Sequence, residues 1–335
     1  MKIKSEWDLI AKISQKIKLN GLPSPSDAYI NIGDDCFAYK ISDDRYGLIS
    51  TDMSVEDVHF KTAWATPEQI GFKAMAGNIS DISAMGGKPR FAFISIGIPD
   101  TVSENYVLSI YDGIIEAANS SGTVLSGGDT VASDKIIISI SIYGESVKSP
   151  VGRNGASSGE FIYVTGNIGA SKAGLALLES GDKSKIIKYP NLIIRHLKPE
   201  IRSSITEQIL NEFSPTAMID ISDGLLSDLN HICESSGTGF ELDIESLPLS
   251  EEMKSYCLES GIDTKNTALE SGEEYELLFT SKKDTAECNI SKIQITKIGK
   301  IVDENYFAII NGRKEIINIT GYDHFKSPHP PERAF

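Results

Sequence analysis

Five acidic clusters stand out along the chain. They are Gly33-Asp34-Asp35, Ser50-Thr51-Asp52, Ser80-Asp81, Gly128-Asp129 and Asp220-Ile221-Ser222-Asp223-Gly224. The set is expected at strand ends and in glycine turns. Carboxylates brought together repel one another, so their convergence needs a compensating cation. Their hard oxygen donors suit Mg²⁺, which keeps waters and binds phosphate oxygens as well. Asp and Gly are also ordinary turn residues, so one such pair alone reads as a turn. The recurrence of the pattern is what points to metal.

A nucleotide would also need a phosphate cradle. The chain has no G-x-x-x-x-G-K-S/T loop and no protein-kinase loop with its H-R-D partner, which excludes both of those designs. Gly152-Arg153-Asn154-Gly155 offers backbone N–H groups and a guanidinium to a polyphosphate. Ser222-Asp223-Gly224 opens a helix, where anions meet unpaired N–H groups; the plainer reading of Ser222 is an N-cap. His59, in Val58-His59-Phe60, follows a strand and a turn, a place where a lone His is usually structural. Glu273 and Glu274 precede a strand, and their plain reading is a solvated acidic turn.

These groups must be held by elements. Leu9, Ile10, Ile13 and Ile17 predict a helix over 5–18. Residues 28–32 and 46–51 read as short strands running into acidic residues. Thr66-Pro67-Glu68-Gln69 is a helix start with a capping box, and Gly86-Gly87 ends that helix near Met85. Met75, Ile79, Ile82 and Met85 form its apolar stripe, with Lys73, Asn78 and Asp81 off it. Strands are expected at 90–98 and 135–144 and a helix at 103–120. Ser126-Gly127-Gly128-Asp129-Thr130 reads as a glycine turn ending in a carboxylate. Residues 146–159 are rich in Gly, Ser and Pro and lack periodicity, so the domain boundary is placed there. Beyond it, strands are expected at 160–165, 217–221, 276–280 and 292–301. Helices are expected near 171–179, 203–213 and 224–234. Strand and helix mix in both halves, which makes an α/β or α+β chain. The tail, 326–335, holds Pro328, Pro330 and Pro331 and reads as irregular.

The length of 335 residues favours two domains, set at 1–148 and 149–335. The formal net charge of −15, with no run of Lys and Arg, argues against nucleic acid. The apolar stretches are too short to span a bilayer. Glu6 and Asp8 argue against a signal peptide. Four scattered cysteines without a C-x-x-C pair fit a reducing cytoplasm.

Taken in order, these residues resemble the thiamine-monophosphate kinases. The likeness runs through Gly33-Asp34-Asp35-Cys36, Ser50-Thr51-Asp52, His59-Phe60, Lys73-Ala74, Asn78-Ile79-Ser80-Asp81-Ile82-Ser83-Ala84-Met85-Gly86, Gly127-Gly128-Asp129-Thr130 and Gly152-Arg153. It continues through Arg195-His196-Leu197, Ile219-Asp220-Ile221-Ser222-Asp223-Gly224-Leu225, Gly272-Glu273-Glu274-Tyr275-Glu276-Leu277 and Gly321-Tyr322-Asp323-His324-Phe325. Glu274 stands where the family usually has Asp, and Tyr322 where it often has Trp.

The resemblance implies a two-domain aminoimidazole ribonucleotide synthetase-like fold. Its N-terminal mixed sheet would pair across a homodimer, and its C-terminal α/β domain would complete the sites. It implies ATP and thiamine monophosphate as substrates and several Mg²⁺ ions, held by Asp35, Ser50, Thr51, Asp52, Asp81, Asp129, Asp220 and Asp223. It assigns ATP to Tyr111, Gly128, Asp129, Arg153 and Ser222, and the thiamine phosphate to His59, Glu273 and Tyr322. No residue is expected as nucleophile or base; Asp52, Asp129 and Asp220 would stabilise charge through the metals. The same superfamily holds aminoimidazole ribonucleotide synthetases and selenophosphate synthetases. The latter carry a reactive Cys or selenocysteine in an N-terminal loop, whereas no Cys precedes Cys36 here. A non-catalytic ATP sensor is the remaining alternative, and it would need fewer carboxylates.

Overall fold

The computed structural model describes residues 6–19, 27–285 and 288–317. Tyr322 and the proline-bearing tail lie outside the described residues. A first helix, α1 (Glu6–Leu19), precedes a six-stranded mixed sheet. That sheet is built from β1 (Ala28–Ile30), β2 (Phe37–Ser42), β3 (Arg45–Val55), β4 (Lys88–Ile98), β5 (Val124–Ala132) and β6 (Ile137–Ser146), in the order β1-β2-β3-β6-β4-β5. Helices α2 (Pro67–Ala84) and α3 (Glu104–Ser121) join its strands.

Side-chain alternation gives the sheet two unlike faces. Leu48, Ala92, Ile94, Ile138, Ile140 and Ile142 are buried in one core with α2 and α3. The opposite face leaves Ile49, Met53, Phe91 and Phe93 exposed. The register places Phe37 beside Ile49, Ile49 beside Tyr143, and Tyr143 beside Phe91, so these apolar side chains form one row.

The start of α2 is as its sequence requires. Thr66 accepts from Gln69 N, and Gln69 Oε1 accepts from Thr66 N, which closes the capping box. α2 and α3 cross at two glycines. A Cβ on Gly71 would stand 1.9 Å from the Ile110 carbonyl oxygen, and one on Gly113 would stand 1.8 Å from that of Glu68. Only hydrogen fits there. The amphipathic reading of α2 needs correction: Lys73, Asn78, Ser80 and Ser83 are buried together with the apolar stripe. The helix lies against the first sheet, α3 and elements of the second half at once, so it is enclosed on nearly every side.

The second half begins with β7 (Phe161–Thr165). It continues with α4 (Ala170–Ser180), α5 (Lys183–Lys188), α6 (Pro190–Leu197), α7 (Thr206–Glu212), β8 (Ala217–Asp220), α8 (Leu225–Ser236) and β9 (Gly239–Asp243). Then come α9 (Glu251–Ser260), α10 (Thr264–Leu269), β10 (Leu277–Ser281), β11 (Cys288–Ile290), β12 (Ile293–Val302), β13 (Tyr306–Ile310) and β14 (Arg313–Ile316). The strands form a second sheet, β14-β13-β9-β12-β7-β10-β8, with β11 on β12. Ile162, Val164, Ile219 and Leu278 face one core, which also holds Leu229 of α8. Tyr163, Met218, Leu277 and Phe279 face a second core with Phe213. Burial on both faces accounts for the near-continuous apolar runs of β7, β8 and β10.

Two further findings depart from the sequence reading. β2, α5, α6, β9, α9, α10, β11, β13 and β14 carry no expectation from sequence. Ser126–Thr130 is not a turn: it runs inside β5, parallel to β4, with Ser95 beside Asp129. Among the described residues no helix is long and apolar enough to cross a membrane.

Candidate active site

A cleft of about 700 Å³ runs between α2, the end of β3 and the loops at the mouth of the second half. Its acidic end gathers residues far apart in sequence. Asp35 comes from the turn before β2, Asp81 from α2 and Asp220 from the last position of β8. One carboxylate oxygen of each lies within 4.8 Å of the others. Ser50 Oγ donates to Asp81 Oδ2 at 2.5 Å, and Ser80 Oγ donates to Asp220 Oδ2 at 2.5 Å, so both carboxylates are aimed. Asp52 shares the inward face of β3 with Ser50, and its charge bears on Asp81.

The electrostatics are those of crowded, buried carboxylates that one guanidinium, Arg153, only partly offsets. Burial, reinforced by Asp35, pushes Asp220 up to about 8. Burial and then Asp52 push Asp81 well above the usual carboxylate range. Burial raises Asp35 against the pull of Arg153. Asp34 rises to about 6 through burial and Asp35. Arg153 pairs with Asp35, and its backbone N–H donates to Asp34 Oδ2 at 3.0 Å. Asp35 Oδ2 is buried and accepts no hydrogen bond. An orphaned carboxylate oxygen inside a ring of oxygen donors fits a hard divalent cation.

Asp223, Asp228 and His231 form a second group whose donor atoms lie within 4.8 Å of one another. Asp228, from the first turn of α8, is buried. Its Oδ2 accepts from the backbone N–H groups of Ser222 (3.1 Å), Asp223 (3.2 Å) and Gly224 (3.1 Å). This carboxylate fixes the turn that presents Ser222 and Asp223 to the cleft. Ser222 is therefore not the cap of α8; Gly224 holds that position without a side-chain bond.

The other end of the cleft is less charged, with Val58, Phe60, Ile70 and Leu175 among its lining. Val55 N donates to His59 Nδ1 at 3.0 Å, so the proton of the neutral ring sits on Nε2. Lys73 Nζ donates to Glu273 Oε2 at 2.7 Å and lies 3.5 Å from His196 Nε2. Burial, then Lys73, lowers His196 to about 3, so its ring is neutral. Glu273 and Tyr275 have positive φ (53° and 54°), an alternation that turns Glu274 and Glu276 the other way, into buried contacts with Arg195 and Arg202.

The structure thus brings Asp35, Ser50, Thr51, Asp52, Asp81, Arg153, Ser222, Asp223, His59 and Glu273 to one cleft, with Asp220 against Asp35 and Asp81. It does not bring Tyr111, Gly128 or Asp129 there. Among the described residues the cleft lining excludes them. Tyr111 packs against the first core from α3. Asp129 lies on β5, three strands from β3, and its partner Ser95 shares the face of Phe93, opposite to that of Asp52. Sequence reasoning missed the roles of Asp228, His231 and Lys73. No local pattern marks them, since Asp in a first helical turn and Lys on a helix are both ordinary.

The chain is similar to known proteins along nearly its whole length. Residues 33–146 match the N-terminal domain of the AIR synthase related protein family, and residues 157–311 match its C-terminal domain. A thiamine-monophosphate kinase of Bacillus subtilis (strain 168) is 35% identical over 335 residues, covering 96% of this chain and 99% of the relative. The solved structure of AaThiL complexed with AMPPCP and TMP superposes with a TM-score of 0.84 at 34% identity, covering 97% of this chain and 99% of that one. Thiamine monophosphate kinase from Aquifex aeolicus superposes with a TM-score of 0.78 at 33% identity, covering 94% and 99%.

Proposed function

This chain belongs to the thiamine-monophosphate kinases of the AIR synthase related family, and we infer from that membership that it transfers the γ-phosphoryl group of ATP to thiamine monophosphate, giving thiamine diphosphate and ADP. The observation that carries this reading is the convergence of Asp35, Asp81 and Asp220 at the end of a cleft that His59 and Glu273 also line.

The acceptor is itself an anion, and the second ionisation of a phosphomonoester lies near about 6. It needs no strong base near neutral pH, and His196, lowered to about 3 by burial and then by Lys73, is not one. The obstacle is repulsion between two phosphates. Asp35, Ser50, Thr51, Asp52, Asp81, Asp220 and Asp223 are the residues to hold Mg²⁺. When bound, Mg²⁺ neutralises charge on the transferring group. Ser50 and Ser80 keep Asp81 and Asp220 aimed, Arg153 adds a guanidinium for the polyphosphate, and Asp228 holds the Ser222–Asp223 turn ready. Positioning and charge stabilisation suffice for a phosphoryl transfer without a protein nucleophile. Val58, Phe60, Ile70 and Leu175 supply an apolar wall for the acceptor's rings, with His59 and Glu273 as its polar contacts. Tyr322 is kept as a further acceptor contact by resemblance alone.

The working protein is a homodimer in this reading. The exposed apolar row of the first sheet is the surface a second copy would cover. Asp129 and Gly128, out of reach of their own cleft, would then serve the partner's ATP, with Tyr111. The two halves act as units at 1–148 and 149–335, and the enzyme works in the cytoplasm. Acceptor-dependent ADP release tests the function. Thiamine monophosphate stimulates it, while selenide and aminoimidazole precursors do not. Binding of ATP with no stimulation by thiamine monophosphate would instead describe a sensor.

A further inference from the structure

Ile70, Lys73, Gly77 and Asp81 all line the cleft, and their spacing puts them on one stripe of α2. The stripe links the two ends of the site. At ~1.5 Å per residue, Lys73 stands about 12 Å along the axis from Asp81. Lys73 therefore lies within reach of the rings of a substrate whose phosphate rests at the carboxylates. Lys73 is not among the residues that the resemblance assigns to either substrate.

Its surroundings are specific. The side chain is 9% exposed, and a buried ammonium requires partners. Lys73 Nζ donates to Glu273 Oε2 at 2.7 Å, across 200 positions of sequence, and so ties α2 to the loop before β10. His196 Nε2 lies 3.5 Å from the same ammonium, and His196 Nδ1 lies 3.2 Å from Ser171 Oγ. Glu273 is held from its backbone side as well, since its N–H donates to the Ser222 carbonyl at 2.8 Å. Its contacts with Lys73 and His196 both use Oε2, which leaves Oε1 for a ligand. An ion pair that served stability alone would gain nothing from opening one carboxylate to the cleft, and Glu273 is 28% exposed where Lys73 is not.

We propose that Lys73, braced by His196 and Ser171, is a positioning residue for the acceptor: it grips one oxygen of Glu273 so that the other meets the cationic ring of the thiamine phosphate. The proposal rests on the kinase reading. Lys73 acts through Glu273 and need not touch the substrate. The expected signature is a loss confined to the acceptor, because the ATP-side residues hang on Asp228, Arg153 and the serines instead.

The test uses the full-length enzyme. Lys73→Met keeps the aliphatic stem and removes the ammonium. It raises the KM for thiamine monophosphate about tenfold or more, while KM for ATP and kcat stay within about threefold. Lys73→Arg restores most of the loss. Glu273→Gln also raises the acceptor KM, and the double variant is no worse than Glu273→Gln alone, since the two side chains act as one unit. Additive losses, equal rises in both KM values or an unchanged acceptor KM would overturn the role of Lys73. Should K73M fold poorly, the same comparison of Lys73→Arg with Glu273→Gln decides it: an Arg variant indistinguishable from wild type, paired with an unaffected Glu273→Gln, overturns the proposal. Absence of thiamine diphosphate from the wild-type enzyme would be a failure of the kinase reading instead, and the two failures are read from different proteins.

Discussion

At the scale of residues, the site is defined by carboxylates that ought not to be together. Asp220 is 1% exposed and is raised to about 8 by burial and by Asp35. Asp34 is raised to about 6 by burial and by Asp35. Folded values above the unfolded ones mean that the fold without metal favours the protonated forms. Their contribution to stability is then complete below the unfolded carboxylate range. It is lost as pH rises through about 6 and then about 8. A cation in the site removes the penalty. Metal-free protein is therefore expected to melt at progressively lower temperature between about pH 4 and pH 8, and Mg²⁺ to raise the melting temperature more at the alkaline end than at the acid end. Thermal melts in chelator and in Mg²⁺ measure this directly. Parallel pH profiles would mean that these carboxylates do not receive the ion. The acidic clusters themselves were legible in the sequence because Asp recurs in one kind of setting. Asp228 was not, because a helical Asp gives no sign of whether its oxygens face water or three backbone N–H groups.

Elements turn those residues into a constellation. The capping box at Thr66 and the glycine stop fix the ends of α2, so Asp81 and Lys73 are set along one rigid rod; this much was readable from local chemistry. Periodicity did not reveal that α2 is packed on nearly every face but the one that lines the cleft, because an apolar stripe marks one packing partner and polar groups that find buried partners look solvated. Nor did local preference survive in β5. Gly127, Gly128 and Asp129 favour a turn, yet parallel pairing with β4 holds them extended. The 220–224 turn is held by tertiary contacts too. Removing the Asp228 carboxylate leaves three backbone donors without their acceptor, a loss on the order of 1–3 kcal/mol because only the Gly224 donor is fully buried. Asp228→Ala should lower stability by that amount in denaturant titration and weaken Mg²⁺-dependent activity at once. A stable variant with normal Mg²⁺ dependence would show that the turn holds itself.

On the scale of the whole molecule, the two faces of the first sheet divide the labour. One packs on α2 and presents Asp52 to the cleft. The other is apolar and carries Asp129, which its own cleft does not see. The resemblance placed both residues in one set of eight expected metal ligands and held no hint that a sheet separates these two, since strand order and face emerge only from pairing. If Asp129 works in the partner's site, D52N and D129N dimers are each inactive, but mixing and re-equilibrating them recovers activity. About one quarter of the wild-type rate is expected, because half the dimers are mixed and each carries one intact site. No recovery from folded, subunit-exchanging variants would remove Asp129 from the trans role.

The central claim is that this cleft moves a phosphoryl group in one step from ATP to thiamine monophosphate. Turnover of ATP made chiral at the γ-phosphorus examines it most directly, because product identity and path are read together. One in-line displacement places the labelled phosphoryl group in thiamine diphosphate with inverted configuration, and no ADP forms until acceptor is added. Retention of configuration, or a burst of ADP in the absence of acceptor, would place a phosphorylated carboxylate on the path and contradict a site that works by charge and position alone.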